Sequence, residues 1–453
     1  MIEYEEFLKT KRLKHIASGF ETTIPINPIM FDFQKDIVRW ALLKGKSAIF
    51  AGTGLGKTLM QLEWSNHVNQ YTKESILILA PLAVSQQTVK EGERLGLNIN
   101  LCRTQSQIKN GINITNYEML HNFDTSKFIG IVLDESSILK SFEGKVRTEI
   151  IERFIQTPYK LACTATPSPN DYMELGNHAE FLNTMTRTEM LSMFFVHDGG
   201  ETSKWRIKGH AIQEFWNWVA SWSVMLSHPK DLGYTTKGFD LPPLNIYEIV
   251  ADKSGNIVHE ARTLQERRLA KVESLPSRIK KASEIANSFD DSVLIWCNLN
   301  IESEQLKHGI FNSKEIKGSD NNEYKANTMI AFSNQTLKKI ITKPSIAGFG
   351  MNWQHCNKVI FVGLSDSFEQ YYQAVRRCWR FGQDKPVDVY IITSEKEEAV
   401  VENIKRKERD FENMVKEMIS YTQELTKKKI TNLYIEKDIY NSQTKIKLPT
   451  WLK

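Results

Sequence analysis

Residues 51–58 read Ala-Gly-Thr-Gly-Leu-Gly-Lys-Thr, between an apolar run ending at Phe50 and a helical pattern opening with Leu59, Met60 and Leu62. Strand, glycine-rich loop and helix in that order make a phosphate cradle. The backbone N–H groups of Gly52, Thr53, Gly54, Leu55 and Gly56 wrap the anion, and the helix N-terminus adds its positive end. In that arrangement Lys57 reaches β- and γ-phosphates and the Thr58 hydroxyl holds Mg²⁺. Ala51 stands where the strict pattern has Gly. A second constellation, Ile131-Val132-Leu133-Asp134-Glu135, is an apolar strand closed by two carboxylates. Asp134 suits Mg²⁺, most often through water, and Glu135 suits polarisation of an attacking water. Thr164-Ala165-Thr166-Pro167 puts hydroxyls at another strand end, where they can sense loss of a γ-phosphate.

A third constellation lies far downstream. Gln373, Arg377 and Arg380 fall at i, i+4 and i+7, one face of a helix, with few acids nearby to pair them. Two guanidiniums and an amide suit an anion, and a γ-phosphate offered from across a cleft fits that need. The preceding loop, Lys343 to Asn352, follows a strand, and its glycines, Gly350 among them, allow close backbone approach to phosphate.

These residues need a scaffold, and the apolar runs describe one. Ser47–Phe50, Ile76–Ala80, Ile112–Thr115, Ile129–Leu133 and Tyr159–Thr164 read as buried strands of a parallel sheet, with helical patterns between most of them. A second set, Ser292–Cys297, Ile340–Thr342, Val359–Val362 and Val387–Thr393, repeats the design. The expected fold is α/β, with two doubly wound parallel-sheet lobes. The expected organisation is a first lobe over 1–175, an aromatic-rich helical insertion and linker over 176–243, a second lobe over 244–398, and a charged helical tail over 399–453. In the insertion, Phe215, Trp218, Val219 and Trp222 keep helical spacing. That pattern fits the core of a helical unit better than a base-stacking platform. The tail's charges read as a solvated face.

Bulk properties bound the reading. At 453 residues the chain exceeds a single core. Its 41% hydrophobic and 25% charged residues are ordinary for a globular protein, and a net charge of +5 is compatible with a nucleic-acid partner. The five cysteines are scattered, so neither a zinc site nor a disulfide framework is expected, and a reducing cytoplasm fits. The longest apolar stretch is far short of a membrane span, and the N-terminus carries no apolar signal segment.

Taken together, the motifs resemble those of helicase superfamily 2, from about Phe31 to Ser394. Phe33-Gln34 resembles the adenine-reading glutamine motif, Ala51–Thr58 motif I, Ala80–Leu82 motif Ia and Thr115–Glu118 the Ib region. Asp134–Ser137 resembles motif II, Thr164–Pro167 motif III, Val293–Cys297 motif IV, Ser345–Asn352 motif V and Gln373–Gln383 motif VI. The last two look most like Swi/Snf-type DNA translocases. Motif II departs from the family in ending Ser136-Ser137, and Arg376 replaces the acidic residue usual before the first motif VI arginine. The compact size resembles helicase-like proteins of bacteriophages and prophages.

The resemblance implies two RecA-like lobes that bind ATP and Mg²⁺ between them and use hydrolysis to move on duplex or branched DNA. It implies catalytic roles for Lys57, Asp134, Glu135, Gln373, Arg377 and Arg380. Nucleotide contacts fall to Gln34, Gly52, Thr53, Gly54, Leu55, Gly56, Lys57, Thr58 and Gly350, and metal contacts to Thr58 and Asp134. DNA would be held mainly by its phosphates. Replication or recombination proteins are further expected partners, and a monomer in a bacterial host cytoplasm is the expected setting. An RNA helicase is the first rival, although the sequence carries neither Asp-Glu-Ala-Asp nor a Ser-Ala-Thr motif III. The second rival is an ATP-gated assembly module within a replication, recombination or restriction complex.

Overall fold

The chain alternates strand and helix twice over, because each apolar run is followed by enough amphipathic sequence to cross back over a sheet. The computed structural model describes residues 17–140, 144–197, 205–235, 237–251, 272–348 and 351–431. In the first lobe, β1 (Lys46–Ala51), β2 (Ile76–Ala80), β3 (Ile99–Leu101), β4 (Ile112–Asn116), β5 (Gly130–Asp134) and β6 (Tyr159–Thr164) lie parallel. A short antiparallel pair, β7 (Phe195–His197) and β8 (Trp205–Ile207), sits outside that sheet, and β9 (Ser223–Leu226) returns to it beside β1. The order is β3-β4-β2-β5-β6-β1-β9. The second lobe holds β10 (Leu244–Val250), β11 (Val293–Trp296), β12 (Ser313–Glu315), β13 (Lys339–Thr342), β14 (Lys358–Val362) and β15 (Val387–Thr393), in the order β10-β15-β14-β11-β13-β12, again all parallel. These are two RecA-like α/β lobes. Gly350 lies outside the described residues, as does the final stretch Thr444–Lys453.

The segment 176–243 differs from a free-standing helical insertion in one respect. Its helix Ile212–Trp222 leads directly into β9, which adds an edge to the first sheet through pairs such as Phe50 with Met225. Four residues are too few to break the helical apolar period that precedes them, so the strand is invisible to pattern. The aromatic residues are core. Phe215, Trp216, Trp218 and Trp222 are all buried, with Phe194 against Trp218 and Trp218 against Trp222. The functional alternative, a base-stacking platform, is excluded by that burial.

The charged tail also folds back. The helix Glu398–Thr431 leaves β15 and buries Val400, Ile404, Phe411, Met418 and Ile430. Phe411 packs on Phe368 of the second lobe, while Tyr421 stacks on Trp216 with ring planes 7° apart. Tyr172 donates to Glu417 at 2.5 Å. The helix therefore bridges both lobes on one amphipathic stripe, which its charge density conceals in sequence. No helix among the described residues is long and apolar enough to cross a membrane. All five cysteines are buried and free.

Candidate active site

The order β5-β6-β1 brings three strand ends side by side: Asp134 closes β5, Thr164 closes β6, and β1 runs into the glycine-rich loop. Carboxyl ends of neighbouring parallel strands are where open α/β sheets place their ligands. Lys57 and Thr58 open the following helix, Lys57–Thr72. Lys57 Nζ donates back to the Ala51 carbonyl at 2.9 Å and to that of Gly52 at 3.4 Å, so the ammonium sits inside its own loop. Gly52 N–H is held by the Leu226 carbonyl of β9 at 2.9 Å. Thr53 Oγ1 is buried without a partner.

The loop is braced from two sides. Gln34, on the helix Asp32–Lys44, accepts from Phe31 N–H at 3.0 Å and donates to the Leu55 carbonyl at 2.9 Å. Gly56 has φ +81°, and any side chain there would run into the Gln34 amide. On the other side, a Cβ on Gly54 would lie 2.9 Å from the backbone nitrogen of Phe381, which belongs to the second lobe. The Phe381 ring continues the contact against Phe239 at 4.6 Å and Phe31 at 5.9 Å.

The two acids are buried and fixed. Gln61, one helical turn beyond Lys57, donates to Asp134 Oδ1 at 2.7 Å, and Glu135 N–H donates to the same oxygen at 3.1 Å. Tyr117 donates to the Asp134 carbonyl at 2.7 Å. Glu135 takes φ +53°, a left-handed conformation costing about 1–2 kcal/mol for a residue with a Cβ. Such strain is held at functional positions by the surrounding structure. Thr164 Oγ1 donates to Glu135 Oε2 at 3.4 Å, and Thr166 N–H donates to Thr164 Oγ1 at 3.1 Å. Behind them Ser136 pairs with His178 at 3.0 Å, both fully buried, and burial drives His178 down to about 4.

From the second lobe, Arg377 donates from Nη2 to Gln373 Oε1 at 2.9 Å, from Nε to the Gln373 carbonyl at 3.0 Å and from Nη1 to the Met351 carbonyl at 3.3 Å. Arg380 Nη1 reaches the same Met351 carbonyl at 3.5 Å. The expectation of a single helical face needs correction here. The helix ends at Val375, and both arginines lie on the turn that follows. The Arg377 carbonyl accepts from Trp353 N–H, and Trp379 Nε1 bonds Pro242, so the chain leaves the helix to meet partners elsewhere. Gln373 Nε2 is buried without a partner.

Electrostatics joins the two halves. Burial raises the Glu135 carboxyl while the Lys57 ammonium pulls it down, and Arg377 adds to that pull. Asp134 is likewise raised by burial, against Gln61, Lys57 and Arg377. Lys57 and Arg377 are lowered by burial, with Glu135 opposing in each case. Arg380 falls to about 9, first from burial and then from Arg377 beside it. Lys57, Asp134, Glu135, Arg377 and Arg380 thus form one cluster of two acids and three bases, although more than 200 residues separate its parts. Thr58 is half-buried on the loop's helix. Gln61 and His178 fall outside the sequence motifs, whereas Tyr117 lies within Thr115–Glu118 and Phe381 within Gln373–Gln383, with no role that the motif itself assigns. Only Gln61 carries a signal, its i+4 spacing from Lys57.

Residues 271–382 match the family described as Helicase conserved C-terminal domain. The span takes in β11 to β14 of the second lobe with Gln373, Arg377 and Arg380, and leaves β10 and β15 outside it. Over 212 residues the chain is 22% identical to TATA-binding protein-associated factor 172 of Homo sapiens, an alignment covering 39% of this chain and 11% of that protein. The chain therefore spans about a tenth of that relative's length. Among solved structures it is similar to one described as the Sulfolobus solfataricus SWI2/SNF2 ATPase core in complex with dsDNA. The TM-score is 0.41 at 18% identity, over 91% of this chain and 97% of that one.

Proposed function

We propose that the chain is an ATP-dependent DNA helicase or translocase whose hydrolytic site forms between its two lobes. The observation that carries this reading is the convergence of Arg377 and Arg380 on Lys57, Asp134 and Glu135 across the lobe boundary. Match of the second lobe to the helicase C-terminal domain supports it.

In this reading Lys57 exchanges the Ala51 and Gly52 carbonyls for β- and γ-phosphate oxygens. The loop N–H groups and Thr53 complete the cradle, and Gln34 turns toward the adenine edge. The donors fit Mg²⁺: the Thr58 hydroxyl and the Asp134 carboxylate are hard oxygens, and the buried Gln61 Oε1 has no partner and can accept from a metal-bound water. When bound, Mg²⁺ would neutralise charge on the phosphates. Glu135, raised by burial and held by Thr164, accepts a proton from the attacking water. Gln373 orients Arg377, and the two guanidiniums offset charge as the terminal phosphate leaves. Rigid-body closure and opening of the lobes then moves them along the polymer through phosphate contacts, without base reading. Replication or recombination of phage DNA is the setting we propose for this activity.

Steady-state ATPase assays without polymer, and with single-stranded, duplex and branched DNA and RNA, test the reading alongside Lys57→Ala. Stimulation by duplex or branched DNA, lost in the variant, is expected. Stimulation by RNA alone would assign an RNA helicase, and turnover indifferent to every polymer would assign a gated module.

A further inference from the structure

Between the lobes runs a cleft of about 840 Å³, and on its wall a carboxylate of one lobe meets an ammonium of the other. Glu369, in the first turn of the helix Phe368–Val375, forms an ion pair with Lys140. Its other oxygen accepts from Thr166 Oγ1 at 3.5 Å. Lys140 ends the short turn Ser136–Lys140 that follows Glu135, and that turn is anchored where Asn177 donates to the Lys140 carbonyl at 3.1 Å. Glu369 lies one helical turn before Gln373, whose side chain holds Arg377. Through Thr166 and Thr164 it is linked to Glu135. One carboxylate therefore touches the open cleft, the acid pair's own turn and the helix that carries the arginine-orienting glutamine.

The charge of the cleft makes this contact consequential. Lys90, Arg103, Lys140 and Lys325 line it beside Glu91, Glu118, Glu135 and Glu369, so the wall is balanced in charge and a phosphate backbone would have to draw its cations away from carboxylates. Lys140 is committed to Glu369, and Glu369 itself presents negative charge to any polyanion entering. Its charge also adds to the burial that raises Glu135.

We infer that Glu369 is a positioning residue that makes turnover depend on nucleic acid: a backbone phosphate takes Lys140 from it, and the released helix can then shift Arg377 and Arg380 from their present Gln373 and Met351 partners onto ATP. The inference rests on the ATPase reading above. Coupling is reciprocal, so if polymer displaces Glu369, removing Glu369 must favour polymer. Lys140 then has two alternative partners, one in lobe 2 and one in the polymer. Lys140 is 38% exposed while Glu369 is nearly buried, so the lysine is the partner that an entering phosphate reaches.

The test compares wild type, Glu369→Gln, Lys140→Ala and the charge-swapped double variant Lys140→Glu/Glu369→Lys, each checked for a native melting transition. ATP turnover is read without polymer and over a titration with a blunt DNA duplex. Glu369→Gln should raise polymer-free turnover several-fold, reduce the stimulation ratio by the same factor, and lower the half-saturating duplex concentration. Lys140→Ala should also raise polymer-free turnover but demand more duplex for half-saturation. The double variant should return polymer-free turnover to the wild-type level, which a purely structural role for either residue does not predict. Unchanged or reduced polymer-free turnover in Glu369→Gln, with wild type stimulated normally, overturns the inference alone. A wild type that no polymer stimulates overturns the ATPase reading and this inference with it.

Discussion

Gln61 Nε2 donates to Asp134 Oδ1 at 2.7 Å inside the first lobe, so the residue one turn beyond Lys57 sets the orientation of the acid at the end of β5. The bond joins the helix that follows the glycine-rich loop to the end of β5 across 73 positions of sequence. Partners that orient a metal-binding carboxylate typically matter by 10–100-fold. Gln61→Ala is therefore expected to raise the Mg²⁺ concentration needed for half-maximal ATPase by about 10-fold or more. A Mg²⁺ titration at saturating ATP checks this, and an unchanged midpoint would remove Gln61 from the metal's surroundings.

Lys57 and Glu135 separate binding from chemistry. If Lys57 holds the phosphates as proposed, Lys57→Ala should lose both ATP affinity and turnover. Glu135→Gln keeps shape and hydrogen bonding but cannot take a proton, so turnover should fall by roughly 10²–10⁴-fold while ATP still binds. Equilibrium binding of a fluorescent ATP analogue, set beside kcat, distinguishes the two. Loss of binding in Glu135→Gln would contradict its role as base.

The bridge between lobes can be weighed on its own. Trp216 is 1% exposed and stacks on Tyr421 of the C-terminal helix at 5.9 Å. Trp216→Ala should destabilise the fold by about 3–5 kcal/mol, as large-to-small core changes do. Denaturant unfolding measures this, and a cost below about 1 kcal/mol would show that the helix docks without that ring.

His178 gives a pH signature with a definite sign. Its folded pKa is about 4, depressed by burial from an ordinary 6.5. As pH falls from 6.5 to 4 the unfolded chain takes the proton first, so stability present above 6.5 is lost through that window, to the order of 3 kcal/mol. Glu174 works the other way over much of the same range, since burial lifts it to about 7 and its folded form binds the proton more tightly. The informative comparison is therefore wild type against His178→Gln. Between pH 7 and 5, wild type should lose more stability than the variant. Parallel curves would show that His178 does not titrate as its burial requires.

What sequence revealed and what it hid follow from burial. The central strands, such as β2, β5, β11 and β14, are covered on both faces and read as unbroken apolar runs. The edges β3, β9, β10 and β12 carry no such signal because they are short or half-solvated; Ile246, Tyr247 and Val250 of β10 are exposed. At the site, Lys57, Asp134, Glu135 and Arg377 stand in local patterns whose spacing is itself the signal. Glu369, Tyr117 and His178 do not. Each acts on a residue brought near only by the sheet order or by the meeting of the lobes, and no local spacing encodes that. The C-terminal helix is obscured differently, by the many charged residues that flank its buried apolar stripe.

The proposed function makes the two lobes one ATPase driven by DNA. Its most direct test is steady-state ATP turnover of Arg377→Ala and Lys57→Ala beside wild type, with and without duplex DNA. Strong stimulation of wild type by duplex, lost in both variants, is expected, since in the proposed function each lobe supplies an indispensable half. Full DNA-stimulated turnover in Arg377→Ala, with Lys57→Ala inactive, would confine the chemistry to the first lobe and contradict a site completed across the cleft.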